Sequence, residues 1–189
     1  YTSNILMPDG LLSRVDILLP DIALPMRFHE CRDYGGARER SFETTLNGLR
    51  VRLEENKGQN LEEDFFPPTS APMRVAGEDL NVTVYAFKKG GGKAYRKNEG
   101  IIFAMNGQTH GHFTQDFFTR KKVGLSYLAD SILVIVDCTK LSGRAREDLF
   151  MNSRDRLSGG ELRQQIEESL EELLKQHQGP VSYTHLRAH

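Results

Sequence analysis

The chain has 189 residues, 38% of them hydrophobic and 27% charged, with no tryptophan and a net charge of −1. This composition fits one sizeable globular domain or two small ones; it excludes a uniformly basic nucleic-acid binder but leaves room for local basic patches. Cys31 and Cys138 are too few for a disulfide scaffold and read as reduced thiols, and no apolar run reaches the roughly 20 residues of a membrane helix, so a cytoplasmic protein is expected.

Leu11, Leu12, Val15, Leu18 and Leu19 recur at helical spacing, and Pro20 stops that helix. Residues 26–32, MRFHECR, alternate and predict a strand with Phe28 on one face. Leu49, Val51 and Leu53 alternate within LNGLRVRLEE (46–55) and predict a second strand. Residues 54–71 are acidic, run into Pro67-Pro68 and predict a surface loop. In LNVTVYAFK (80–88), Leu80, Val82, Val84 and Ala86 share one face, and Asn81, Thr83, Tyr85 and Phe87 the other. That pattern predicts a strand with one solvated side.

KGGGKAYRKN (89–98) predicts a flexible hairpin loop, and GIIFAMNG (100–107) the returning strand, ending in an Asn106-Gly107 turn. Residues 114–123 predict a short helix. SILVIVDC (131–138) is nearly continuous in apolar residues and predicts a central strand. Ser158 and Glu161 have the spacing of a capping box. Leu162, Ile166, Leu170, Leu173 and Leu174 form one stripe of a long helix that Gly179-Pro180 stops. The fold class is α/β (α+β): a mainly antiparallel sheet with crossover helices, ending in a long amphipathic helix. Both ends are expected to be cut. The chain begins at Tyr1, and VSYTHLRAH (181–189) reads as a translated transposon-based sequencing adapter or as a disordered tail.

Candidate chemistry is sparse. The triple glycine fails the Walker pattern, because Ala94 follows Lys93 and strands flank it. Its charges (Lys88, Lys89, Lys93, Arg96 and Lys97) together with Tyr95 form a weak candidate contact for nucleic-acid phosphates, against the plainer reading of a solvated loop. His110 and His112 lack the further ligands of a metal site, so no metal is expected. Cys31 and Cys138 read as buried, inert thiols. Arg154 follows the most apolar strand and precedes the capped helix. It reads either as a phosphate ligand on a rigid frame, in a short loop, or as a surface arginine paired with Asp155, Asp148 or Glu147, worth under about 1 kcal/mol.

The ordered stretch EGIIFAMNGQTHGHF, KKVG, SILVIVDCTKL, REDLFMNSRDRL and LEELLKQH resembles the transducer subdomain of GHKL ATPases, the gyrase, heat-shock chaperone, histidine kinase and MutL class. The likeness is nearest to the microrchidia (MORC) branch and its bacterial relatives. It covers residues 80–178 well and 10–55 loosely. In the chaperone branch a similar Val-Asp strand precedes an Asn-x-Ser-Arg-Glu loop, to which Asn152-Ser153-Arg154-Asp155 is similar.

The resemblance implies a protein in which ATP and Mg²⁺ sit in an upstream nucleotide-binding domain. The transducer supplies a cation to the γ-phosphate, and closure accompanies dimerisation, with DNA as the clamped partner. Arg154 is the first candidate for that cation, with Asn152 and Ser153 beside the nucleotide, and Lys121 and Lys122 are second. The Glu/Asn helix pair, Asp-x-Gly-x-Gly loop and Gly-rich lid of the class are not found in the chain, so by itself it is expected to be inactive as an ATPase. The implied organisation is an exit from the nucleotide-binding domain over 1–55, a loop over 56–79, a transducer-like domain over 80–180 and the non-native tail over 181–189. Two other readings stand beside it. One is a nucleic-acid-binding α/β module using the 88–97 segment. The other is a structural dimerisation domain using the leucine stripe.

Overall fold

The computed structural model describes residues 10–29, 43–64, 66–151 and 156–176. Its centre is a five-stranded sheet made of β3 (Thr69–Val75), β4 (Glu78–Ala86), β5 (Glu99–Met105), β6 (Gln108–Thr114) and β7 (Ile132–Asp137). The spatial order is β3-β4-β7-β5-β6. Every neighbouring pair is antiparallel except β5 and β7, which run parallel. A short separate ribbon pairs β1 (Met26–His29) with β2 (Glu43–Leu46). The expected class, a mostly antiparallel sheet with a long final helix, is the observed one.

Strand alternation divides the core in two. Leu80, Val82, Val84, Ile101, Phe103, Ile132, Val134 and Val136 point to one face. There they meet Phe117 and Phe118 of α4 (Asp116–Thr119), Ala145 and Leu149 of α5 (Gly143–Leu149), and Ile166, Leu170 and Leu174 of α6 (Glu161–Gln176). Tyr85, Phe87, Ile102, Ala104, Leu133 and Ile135 point to the other face. Ile17 of α1 (Leu11–Leu18), Leu49 and Leu53 of α2 (Leu49–Glu55), and Leu61 beyond α3 (Lys57–Asn60) cover them. β7 has apolar neighbours on both faces, which is why its run is continuous where a half-buried strand would alternate. The leucine stripe of α6 is also borne out: Ile166, Leu170 and Leu174 are fully buried, with Leu162 and Leu173 packed at the margin.

Several expectations are corrected. Residues 49–55 are helical, not extended. Leu49 and Leu53 are spaced i, i+4 as well as i, i+2 twice over, and Val51, which would decide for a strand, is 42% exposed. Gly48 makes the break into α2: at φ +93° it lies so close to Pro20 that a Cβ would sit 2.7 Å from the Pro20 carbonyl oxygen. The stretch 54–71 is not a plain loop, since it contains α3 and the start of β3.

The second face of β4 is solvated only at its start, at Asn81; Thr83, Tyr85 and Phe87 are buried under the α1/α2 layer or beside β3. β4 and β5 are not a hairpin, because β7 lies between them and their connection crosses the sheet end where β7 begins. α4 is one turn, shorter than the helix expected over 114–123. The Ser158–Glu161 capping box does not form. The Ser158 hydroxyl donates instead to the Asp148 carbonyl, and the Glu161 carboxylate accepts from Gln165 at 3.1 Å. The expected helix stop at Gly179-Pro180 lies outside the described residues.

Candidate functional site

The route from β7 to α6 fixes the ends of the segment that carries Arg154. Beyond Asp137, the Cys138 amide donates to the Ala104 carbonyl at 2.7 Å, which continues the parallel pairing by one step. Ser142 then caps α5: its hydroxyl oxygen accepts from the Ala145 amide at 3.3 Å. The same hydroxyl donates to Glu78 Oε1 at 2.6 Å, and the Ser142 amide donates to Oε2 at 2.8 Å. These two bonds hold the Glu78 carboxyl below its ordinary range. Helix α5 replaces the short loop expected here. Its apolar row is short, Leu141, Ala145 and Leu149 at four-residue spacing, and with Ser142 as cap it was the signal that could have announced the helix.

After α5 the chain closes a neck. Phe150 and Leu157 form an isolated antiparallel bridge. The Met151 amide donates to the Arg156 carbonyl at 3.2 Å, and the Ser158 amide to the Leu149 carbonyl at 2.8 Å. The neck is seated on β6. The Phe150 ring lies 5.2 Å from that of His110, and a Cβ added to Gly111 would meet Leu157 Cδ2 at 2.8 Å. The candidates Asn152, Ser153 and Arg154 lie outside the described residues, between the two bonded ends of this neck.

Lys121 and Lys122 lie elsewhere. Lys122 is 76% exposed, with its Nζ 3.9 Å from Glu171 of α6. Arg120, next to it, donates to Glu167 at 2.9 Å and Glu171 at 3.1 Å and sits over the Phe117 ring. Glu171 is about 15 Å further along α6 than Glu161, where the neck meets the helix. The structure therefore does not bring the lysines to the described ends of the neck.

His110 is buried against Phe150, whereas His112 is exposed. Among the described residues no group of three or more His, Cys, Asp or Glu side chains could hold a metal ion. Cys138 is buried, and burial together with the Asp137 carboxylate pushes its thiol pKa up, as an inert core cysteine requires. Cys31 lies outside the described residues.

The basic connection is also corrected. Residues 91–94 form a 3-10 turn, and the two residues after it are core. Tyr95 is 2% exposed, stacks on Phe87 at 5.3 Å and accepts a hydrogen bond from Asn60 at 3.0 Å. Arg96 is 3% exposed and donates to the carbonyls of Glu99 at 2.9 Å and Ala129 at 2.6 Å. Lys88 donates to the Gly58 carbonyl. Lys88, Lys89, Lys93 and Lys97 are exposed, and of these Lys89, Lys93 and Lys97 line one groove.

No family model matches the chain, and no curated protein does. Among solved structures, the chain is similar to the crystal structure of the B-subunit of the DNA gyrase from Myxococcus xanthus, at 12% identity and a TM-score of 0.45. The match covers 76% of this chain and 44% of that one, so the chain spans less than half the length of that subunit. No helix among the described residues is long and apolar enough to cross a membrane.

Proposed function

We propose that this chain is the transducer part of a GHKL-type, MORC-like ATPase, and that Arg154 reaches the γ-phosphate of ATP held by an upstream domain of the same protein. One observation carries the reading. The segment bearing Arg154 leaves and re-enters the described body through a hydrogen-bonded neck, at Met151 and Arg156, between the central strand and the long helix. The described ends of that segment are bonded to each other, and a positioned cation is what transition-state stabilisation of a phosphoryl group requires. The sequence resemblance over 80–178 supplies the rest.

The cavity beside the neck does not fit a nucleotide. The cavity of about 700 Å³ beside the neck is lined by Glu78, Glu147, Asp148 and Glu161, with Arg144 as its cation, and would repel a triphosphate. Dimerisation and action on DNA belong to the same reading. The rival dimerisation surface is weakened, because the leucine stripe of α6 is used inside the chain's own core.

The test is ATP turnover by the complete protein. Arg154→Ala is expected to lower it by about 10²-fold, the usual cost of one transition-state donor, and Lys121→Ala or Lys122→Ala to lower it less. Turnover near wild type in Arg154→Ala removes Arg154 from the site, and a larger loss in a lysine variant transfers the role there.

A further inference from the structure

The connection between β4 and β5 crosses the start of β7 and encloses a groove of about 460 Å³ against the 3-10 segment Ser126–Ser131. Phe87 donates to the Ser131 carbonyl at 2.7 Å, and Arg96 reaches the Ala129 carbonyl, so both ends of the connection are fixed to that segment. Gly92 allows the close approach: a Cβ there would meet the Asp130 carbonyl oxygen and the Phe87 ring, each at 3.1 Å.

The groove holds an excess of cations. Lys89, Lys93, Arg96 and Lys97 line it, with Asp130 as the one carboxylate in the lining and Glu99 buried behind Arg96. No ion pair among the described residues engages Lys89, Lys93 or Lys97, whereas Arg14, Arg50, Arg52, Arg120 and Arg163 each have a carboxylate partner. Arg96 forms the wall. Its guanidinium is buried, held by carbonyl oxygens, forms no ion pair with a described carboxylate, and leaves Nε without a hydrogen bond. Burial lowers its pKa to about 10, which still leaves it charged at neutral pH. Asp130 and Glu99 offset part of the burial cost without forming an ion pair with Arg96, and a buried cation whose burial still outweighs them gains from an external anion. Tyr127, 52% exposed, places an aromatic ring on the same groove.

We infer that this groove binds the phosphodiester backbone of a nucleic-acid strand, with Lys89, Lys93 and Lys97 contacting phosphates, Arg96 as a fixed charge behind them and Tyr127 offering its face to a base. An acidic peptide would satisfy the lysines but would leave the ring without a stacking partner; a strand satisfies both. The inference is independent of the Arg154 assignment, since it needs no ATP.

The test is fluorescence anisotropy of short labelled single-stranded and duplex oligonucleotides with the chain, over a range of salt. The three groove lysines are exposed, so replacing them together with alanine leaves the core intact. Affinity is expected to fall by at least about 10-fold, and the slope of log K against log salt to decrease by about 2–3, from three lost phosphate contacts. A control that removes the same charge elsewhere, Arg74→Ala with Lys140→Ala and Lys175→Ala, is expected to bind nearly as wild type. Tyr127→Ala is expected to weaken single-strand binding by about 10-fold. The inference is overturned if the wild-type chain does not bind, if the control loses as much as the groove variant, or if poly-glutamate competes charge for charge with the oligonucleotide. Each of these outcomes leaves the ATP-turnover test untouched.

Discussion

The two faces of the sheet are covered by layers of different chemistry. On the α4/α5/α6 side the buried cover is a large apolar cluster that draws on all five strands, with the Arg120 ion pairs to Glu167 and Glu171 at its partly exposed margin. On the α1/α2 side the apolar cluster is smaller, and polar contacts supplement it. Asp16 of α1 is 0% exposed and paired with Arg52 of α2, while Arg14 pairs with Glu99 at 2.7 Å. Arg52 also donates to the Ala94 carbonyl at 3.2 Å and lies 5.1 Å from the Tyr95 ring centroid. Thr109 donates to the Ile17 carbonyl, and the Asp21 amide to that of Gly107. The first layer is held by area, which is non-directional; the second by a few directional contacts, each of which can be lost singly. The first layer also supports the neck, and the second backs the basic connection, so the two candidate functions draw on different parts of the stability of the fold.

The largest expected effect is on the apolar side. Leu170 is fully buried in the centre of the α6 stripe. Leu170→Ala should destabilise the chain by about 3–5 kcal/mol, from lost transfer energy plus a cavity. Because that layer touches every strand, near-UV tyrosine signal and far-UV backbone signal should be lost in one transition in urea. Separate transitions would mean that the sheet survives without α6.

Breaking the polar side should look different. Arg52→Ala leaves the Asp16 carboxylate buried without its cation, a change that costs about 3 kcal/mol when one partner, here Arg52, is partly exposed. Tyr85 and Tyr95 lie under this layer, so the tyrosine signal should be lost before the backbone signal. Burial already raises the Asp16 pKa above its ordinary 3.8, with Arg52 opposing the shift. A raised carboxyl stabilises the fold fully below the unfolded value, and that contribution is lost as pH rises through the folded value. Removing Arg52 raises it further. The deficit of Arg52→Ala should therefore be greatest at neutral pH and shrink as pH falls toward 3.8. A deficit that stays constant on acidification would show that Arg52 acts mainly through Tyr95 and Ala94, whose contacts do not titrate there.

The same contrast explains what could be read from sequence. β7 and α6 were legible because each is long, and because a continuous apolar run and a 3.6-residue stripe admit few other meanings. Helix α2 was not, because Leu49 and Leu53 satisfy both periods and the Gly48–Pro20 contact that starts the helix is not local. Strand order was hidden for a similar reason, since β7 comes between β4 and β5 through pairing of residues far apart in sequence. The basic segment was visible as composition, but the burial of Tyr95 and Arg96 was not. Their partners Asn60 and Ala129 stand 35 and 33 residues away. The neck was legible only as a place, between a strand and a helix. The bridge that closes it, Phe150 to Leu157, follows from the docking of Leu157 on Gly111.

The smallest effect sharpens the comparison from the surface. Ser142 caps α5 and ties it to Glu78 at the β3–β4 turn through two hydrogen bonds, on the outside of the apolar layer. Ser142→Ala should cost about 1 kcal/mol, the usual worth of a helix cap, with a single transition retained. The Ser142 hydroxyl and amide hold the Glu78 pKa below 4.5. A lowered carboxyl stabilises the fold above its unfolded value, and that contribution is lost as pH falls through the folded value. The difference in urea midpoint between wild type and Ser142→Ala should thus narrow on acidification, leaving only the cap. Arg52→Ala narrows over acid pH as well, but there a buried carboxylate is being neutralised, whereas here an exposed one is losing its acceptor strength. Salt separates the two cases. Screening acts between charges, so added salt should shrink the Arg52→Ala deficit, where a partly exposed guanidinium faces Asp16, and leave nearly unchanged that of Ser142→Ala, where neutral Ser142 groups bond Glu78. Equal salt sensitivity in both variants would mean that Arg52 does not act mainly through the Asp16 charge, and that the two faces of the sheet differ less than their contacts indicate.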